Sequence, residues 1–318
     1  MGVLILGYAL LLHLACFWET PTPLPDAPGI ANGWLQVLFN ERLSWHLPTT
    51  LLLLFLQALL VNSVFFHHRM ISPVNLFPGV FLVLVSSALP EFLVLSPYHF
   101  ANLFLLLAIR SYLKAFRVSS AADLLFNAGF WMGIAALFVP TYLFFILGFA
   151  LMLPVLKSGK VRDQLILLIG TTFPIYLASI YYFWVDGFSS FWDQQWGDAF
   201  SIPQFMEWDK VSYFGLLFMS ILLLIVLFSQ RIYRMKTKME VQVKLNIFYW
   251  LLLASGISVL FTMPWNMQHW LAAAPLMGVF LSMNFTKMRP ATAEAWHLLL
   301  LAFIFLFQFG GRLGLTFL

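Results

Sequence analysis

Eleven apolar runs, each close to the length that crosses a bilayer, leave this 318-residue chain few folds to choose from. They fall at residues 2–17, 47–66, 76–95, 98–115, 122–138, 140–156, 164–185, 211–230, 245–263, 268–285 and 294–311. A hydrocarbon core takes roughly 20 helical residues. Inside lipid the backbone must pair its own N–H and C=O groups, which helices and closed barrels achieve. These runs are continuous rather than alternating, so they read as helices. Composition points the same way: 62% of the residues are hydrophobic and 9% charged, where a soluble domain is about 25% charged. The expected fold class is all-α, a polytopic transmembrane helix bundle of eleven spans forming a single transmembrane domain over residues 1–318. The opening "MGVLILGYALLLHLAC" has no basic n-region and many similar segments follow it. It reads as the first span and not as a cleaved leader.

Charge orients the bundle. With the N-terminus cytoplasmic, 14 of the 17 basic residues fall in inner loops, and Arg42, Lys210 and Arg312 are the exceptions. Such asymmetry is the positive-inside pattern and supports both the span count and the orientation. Nine of the 13 acidic residues fall on the outer side. Two outer loops are long, at 18–46 and 186–210. The first contains "IANGWLQVLFNERLSWHL", whose Trp34, Leu35, Leu38 and Trp45 suggest a helix lying along the interface. Both loops are expected either to cover an outer cavity or simply to anchor aromatic side chains in the headgroups. The net charge of +4 is spread over short inner runs, which implies the lipid bilayer and not nucleic acid as the charged partner. The single Cys16 excludes an internal disulfide framework and any multi-cysteine metal site.

Polar groups inside apolar runs mark candidate sites, because lipid tolerates them poorly. Glu91 follows Pro90 near the outer end of the third run. It either lines an outward cavity or snorkels to the interface. His99 and Asn102 head the next run on the same side, and His269 lies in the outer half of the tenth. Together with Arg42 these are candidate substrate-binding residues; a buried histidine also serves as an ordinary packing group. Arg110 reads as an inner-interface anchor. His67 and His68 are adjacent and so point about 100° apart on a helix, which does not make a chelate. No metal site is expected. The chain has no phosphate-cradling glycine loop, no HExxH and no GxSxG elbow. Nor does it show interrupted half-helices repeated in two halves, the usual pointer to a secondary transporter.

Two resemblances follow from longer stretches. "LPEFLVLSPYHFANLFLLLAIRSYL", "NAGFWMGIAALFVPTYLFFI" and "QHWLAAAPLMGVFLSMNF" resemble an uncharacterised family of polytopic inner-membrane proteins from Bacteroidota. Some of its members are labelled carotene monooxygenases, but no iron-binding histidine set like that of the carotenoid oxygenases is present here. The second resemblance is architectural. The chain is similar to multi-span glycosyltransferases of the GT-C type, which take a polyprenyl-phosphate sugar as substrate. Those enzymes carry a carboxylate in a first outer loop after span one and often a second large loop after span seven. The two long loops here stand at those places, and "QHWLAAAPLMGVFLSMNF" is similar to a late helix of such enzymes. The resemblance implies Glu19 in "FWETPTPLPDAPG", or second Asp26, as catalytic base. The chain departs from the pattern in having a lone Glu in "WETP" and few outer bases.

Three readings stay open at this point. The chain is a glycosyltransferase acting on a lipid-linked glycan at the periplasmic face, a non-catalytic subunit or assembly factor for other envelope proteins, or a transporter or flippase for a lipid-linked substrate.

Overall fold

The computed structural model describes residues 2–18, 22–24, 27–71, 75–118, 120–156, 160–197, 199–200, 210–229, 238–262 and 266–310. These residues are 83% helical with no strand. Each of the eleven apolar runs carries helix. The elements are α1 (Gly2–Leu12), α2 (Ile30–Phe39), α3 (His46–His67), α4 (Phe77–Ser86), α5 (Pro90–Leu93), α6 (Pro97–Lys114) and α7 (Ala122–Phe138). They continue with α8 (Phe144–Leu156), α9 (Val161–Trp184), α10 (Phe188–Trp196), α11 (Lys210–Phe228), α12 (Met239–Leu260), α13 (Ala274–Lys287) and α14 (Pro290–Phe309). Among the described residues four helices are long and apolar enough to cross a membrane: α3 with the turn before it, α9, α12 and α14. Proline sets many of the starts. Pro78, Pro90, Pro97, Pro275 and Pro290 each occupy the first or second helical position, where the missing N–H costs nothing and φ is already helical.

Close crossings hold the helices together. Lipid offers no hydrophobic drive between helices, so small residues that let backbones approach take its place. Gly129 and Gly133 of α7 form such a pair, four residues apart in "GFWMG". A Cβ on Gly129 would strike the Leu167 carbonyl of α9, and one on Gly133 the Thr171 carbonyl. Gly170 of α9 answers from the other side, lying against the Phe126 carbonyl. A second crossing joins α13 to α4, where a Cβ on Gly278 would sit 2.7 Å from the Leu82 nitrogen. Around it lies the core, with Leu82, Val83, Leu84, Met277, Val279 and Phe280 all 0% exposed.

The expected continuous helix over 76–95 is broken. Helix α4 stops at Ser86, and a turn through Ser87, Ala88 and Leu89 leads to the short α5. Pro90 has no N–H and cannot continue the helix from the preceding turn. The tenth run is irregular too: a 3-10 segment, Met267–Ala272, precedes α13. The sequence reading found no pair of interrupted helices, yet these two breaks meet, since the Gln268 amide donates to the Glu91 carbonyl at 3.2 Å. Non-helical backbone survives at depth only when buried in protein and paired. Here buried side-chain amides do the pairing. Gln308 of α14 donates to the Ser87 carbonyl at 2.8 Å, and Asn102 of α6 to the Leu271 carbonyl at 2.8 Å.

The two long loops lock onto one another. Helix α2 stands where an interfacial helix was expected, with Trp34, Val37 and Leu38 exposed and Ile30, Ala31 and Leu35 buried. Ile30 N–H donates to Gln195 Oε1 at 2.9 Å, and Gln195 Nε2 donates to the Ala136 carbonyl at 2.7 Å. That carbonyl belongs to the last turn of α7, which lacks helical partners. Gly29 N–H donates to the Gln194 carbonyl at 2.9 Å. Gly29 has φ +123°, and a Cβ there would strike the Phe138 carbonyl, so both conformation and space require glycine. Trp34 also donates to the Tyr182 hydroxyl at 3.0 Å. This end of the bundle is called the loop end below.

Candidate functional site: a cleft at the loop end and the polar layer beneath it

A partly open cleft of about 290 Å³ lies at the loop end. Three segments wall it. The turn after α1 contributes Cys16 and Phe17, with Thr22 further along the loop; the entry to α3 contributes Leu43, Ser44, His46 and Leu47. The stretch leaving α5 contributes Leu93, Val94 and Leu95. The lining is mainly apolar, with the Thr22, Ser44, His46 and Cys16 polar groups set into it. His46 is itself held by the Phe39 carbonyl, 3.2 Å from its Nε2. Of the two loops, only the first borders the cleft among the described residues. The second docks on α2 from the far side.

Glu19 and Asp26 lie outside the described residues. Of the same loop, Phe17 and Thr22 line the cleft, while Trp18 between them is exposed and meets Phe309 edge to face. Arg42 is exposed in the turn just before Leu43. Glu91 is half-buried in the first turn of α5, two residues before Leu93.

The remaining candidates lie deeper. Asn102 is 1% exposed and occupied on both sides: besides its bond to Leu271, its Oδ1 accepts from the Tyr142 hydroxyl at 2.7 Å. His269 is buried and shares a 2.7 Å hydrogen bond between Nδ1 and the Tyr98 hydroxyl. The Tyr98 and Tyr142 rings are neighbours, with centroids 6.2 Å apart. Thr141, Thr262 and Ser258 continue this polar layer through bonds of 2.8 and 2.9 Å. The structure therefore brings Asn102 and His269 into one polar group joining α6, the 3-10 turn before α13, and the 3-10 turn Pro140–Leu143 before α8. His99 stands one turn away on α6 but belongs to a different neighbourhood, with Gln57 of α3 donating to its carbonyl at 2.7 Å.

The opposite, basic end holds a different cluster. Lys244, almost fully buried, pairs with Glu240 one turn earlier on α12. Its ammonium lies 5.0 Å from the Phe116 ring. His67 and His68 meet edge to face with centroids 5.2 Å apart. Burial, with the charges of Lys244 and His67 behind it, pushes the His68 imidazole down to about 4.

Sequence reading missed Gln57, Gln195 and Gln308, each buried and each serving a carbonyl. A signal existed, since an amide in an apolar run is as anomalous as a histidine. The chain matches no protein-family model, no curated protein and no solved structure.

Proposed function

We propose that the chain is an eleven-span inner-membrane protein with a cytoplasmic N-terminus, acting as a glycosyltransferase that uses a polyprenyl-linked sugar at the periplasmic face. The observation that carries this reading is the loop-end cleft. Its walls are apolar enough for the prenyl end of a lipid-linked donor, and they include Phe17 and Thr22 of the loop that carries Glu19. The shorter helices complete their crossings with the turns that extend them, as Ser87–Leu89 and α5 extend α4. In this reading Glu19 takes the proton of the acceptor hydroxyl as its oxygen attacks the anomeric carbon. The bond from that carbon to the phosphate oxygen breaks, and the polyprenyl phosphate leaves with the electron pair. Arg42, beside Leu43 of the cleft wall, balances that phosphate in this reading. Asp26 is the second choice for the base.

The test is the glycan profile of cells carrying Glu19→Gln in place of the wild type. Loss of one glycan with protein level unchanged supports the reading, and an unaltered profile in both Glu19→Gln and Asp26→Asn cells removes it. A second reading has its own observation. Interrupted helices that meet in the interior, as at Glu91 and Gln268, are a feature of transporters. A flippase for a lipid-linked substrate would leave sugar transfer unaffected in Glu19→Gln but would lose movement of that lipid between leaflets when the Gln268 contact is removed.

A further inference from the structure

Beneath the cleft lies a group of buried polar atoms that the transfer reading does not use. His13 opens the 3-10 turn whose Cys16 and Phe17 line the cleft. His99 sits in the first turn of α6, just past the lining residue Leu95. The two imidazoles thus hang from two walls of one cleft, and they lie within Coulombic range of each other. Both are buried, at 0% and 1% exposure. Gln57 reaches the same place through its bond to the His99 carbonyl and is 0% exposed.

Hydrogen-bond accounting shows what this place lacks. His13 Nδ1 lies 2.9 Å from the Ala9 carbonyl, which can only accept. Nδ1 therefore carries the proton of the neutral ring, and Nε2 presents a lone pair. Among the described residues no donor reaches that Nε2 or the Oε1 of Gln57. The carbonyls of Phe92 and Ser96 lie beside the His99 ring and can take up its one N–H, so its other ring nitrogen presents a lone pair too. Acceptors on three segments, at His13, Gln57 and His99, thus lack a donor among the described residues. Buried polar atoms are nearly always paired, and lipid cannot supply the donor.

We infer that His13, Gln57 and His99 form a binding site for a hydroxyl group, supplied either by water or by a sugar that enters through the cleft. A hydroxyl supplies the donor that these lone pairs lack. An anion would add acceptors where acceptors are in excess. A metal ion would need three or more ligands, and no group of three His, Cys, Asp or Glu that could hold one occurs among the described residues.

The test uses the full wild-type chain in vesicles of phosphatidylethanolamine and phosphatidylglycerol, with ¹⁵N-labelled histidine and water-edited solid-state NMR. The seven histidines are assigned with His13→Gln and His99→Gln, or from backbone-correlated spectra if either variant fails to fold. The expected result is magnetisation transfer from water to His13 Nε2 and to the His99 ring. A second arm adds hexyl β-D-glucoside labelled with ¹³C in the sugar. Transfer from sugar carbons in place of water identifies a sugar hydroxyl; persistence of the water signal identifies water. Isolation of both imidazoles from water and from sugar overturns the site. The readout needs no turnover and no Glu19, so it stands or falls separately from the transfer reading.

Discussion

A carbonyl stranded at a helix break inside lipid needs a donor from the protein itself. Gln308 supplies one to Ser87, and it is 7% exposed. Leu at this position keeps the volume and removes the donor. Leaving a buried acceptor unpaired costs about 1–3 kcal/mol, so Gln308→Leu should lower stability by that amount in detergent unfolding; an unchanged midpoint would show that the break is paired some other way. His68 gives a pH signature at the basic end. Its folded-state value near 4 lies below the ordinary 6.5, so the unfolded chain binds the proton first as pH falls. Its contribution is fully present above about 6.5 and is lost progressively toward 4. Unfolding midpoints measured from pH 7 to pH 4 should fall, and His68→Phe should flatten that decline. At this scale the sequence was partly legible. Asn102 and His269 stood out against apolar neighbours, but their partners Tyr142 and Tyr98 did not, because hydroxyl-bearing aromatics are ordinary in a membrane chain.

Helix positions were the most legible feature, because each apolar run had to find helix. The break after Ser86 was less so. Ala88 and Leu89 continue the apolar pattern, and only Pro90 marked the interruption. The lock between the two loops was not legible at all, since Gln195 carries no periodic signature and its partners lie at Ile30 and Ala136. The Gly129–Gly133 pair was readable as a close-packing motif, though not which helix it met. Its prediction is direct. A side chain at Gly133 must displace the α9 backbone at Thr171 and the Pro174 ring, and overpacking costs typically about 1–3 kcal/mol. Gly133→Leu should therefore destabilise strongly in thermal unfolding, whereas Gly256→Ala, which meets nothing within 4 Å, should not. Equal effects at both sites would mean that the α7–α9 crossing is looser than described.

At the scale of the molecule, α2 and α10 of the two long loops gather at one end among the described residues, and Lys114, Arg117 and Lys244 gather with His68 at the other. That polarity supports an outward cleft and makes a topology prediction. In a Cys16→Ser background, Ser190→Cys in α10 should react with an impermeant maleimide on intact spheroplasts. Lys160→Cys should react only after permeabilisation. The reverse pattern would invert the orientation and place the cleft in the cytoplasm.

The central claim is that the cleft presents a lipid-linked sugar to Glu19. Its most direct measurement is transfer of labelled sugar from polyprenyl-phosphate donors to a lipid or glycan acceptor by the purified chain in vesicles. The account predicts transfer by the wild type, at least 100-fold slower transfer by Glu19→Gln, in line with about 10²–10⁴ for a lost general base, and an unchanged unfolding midpoint in that variant. Equal rates in the two proteins, with both folded, would contradict it.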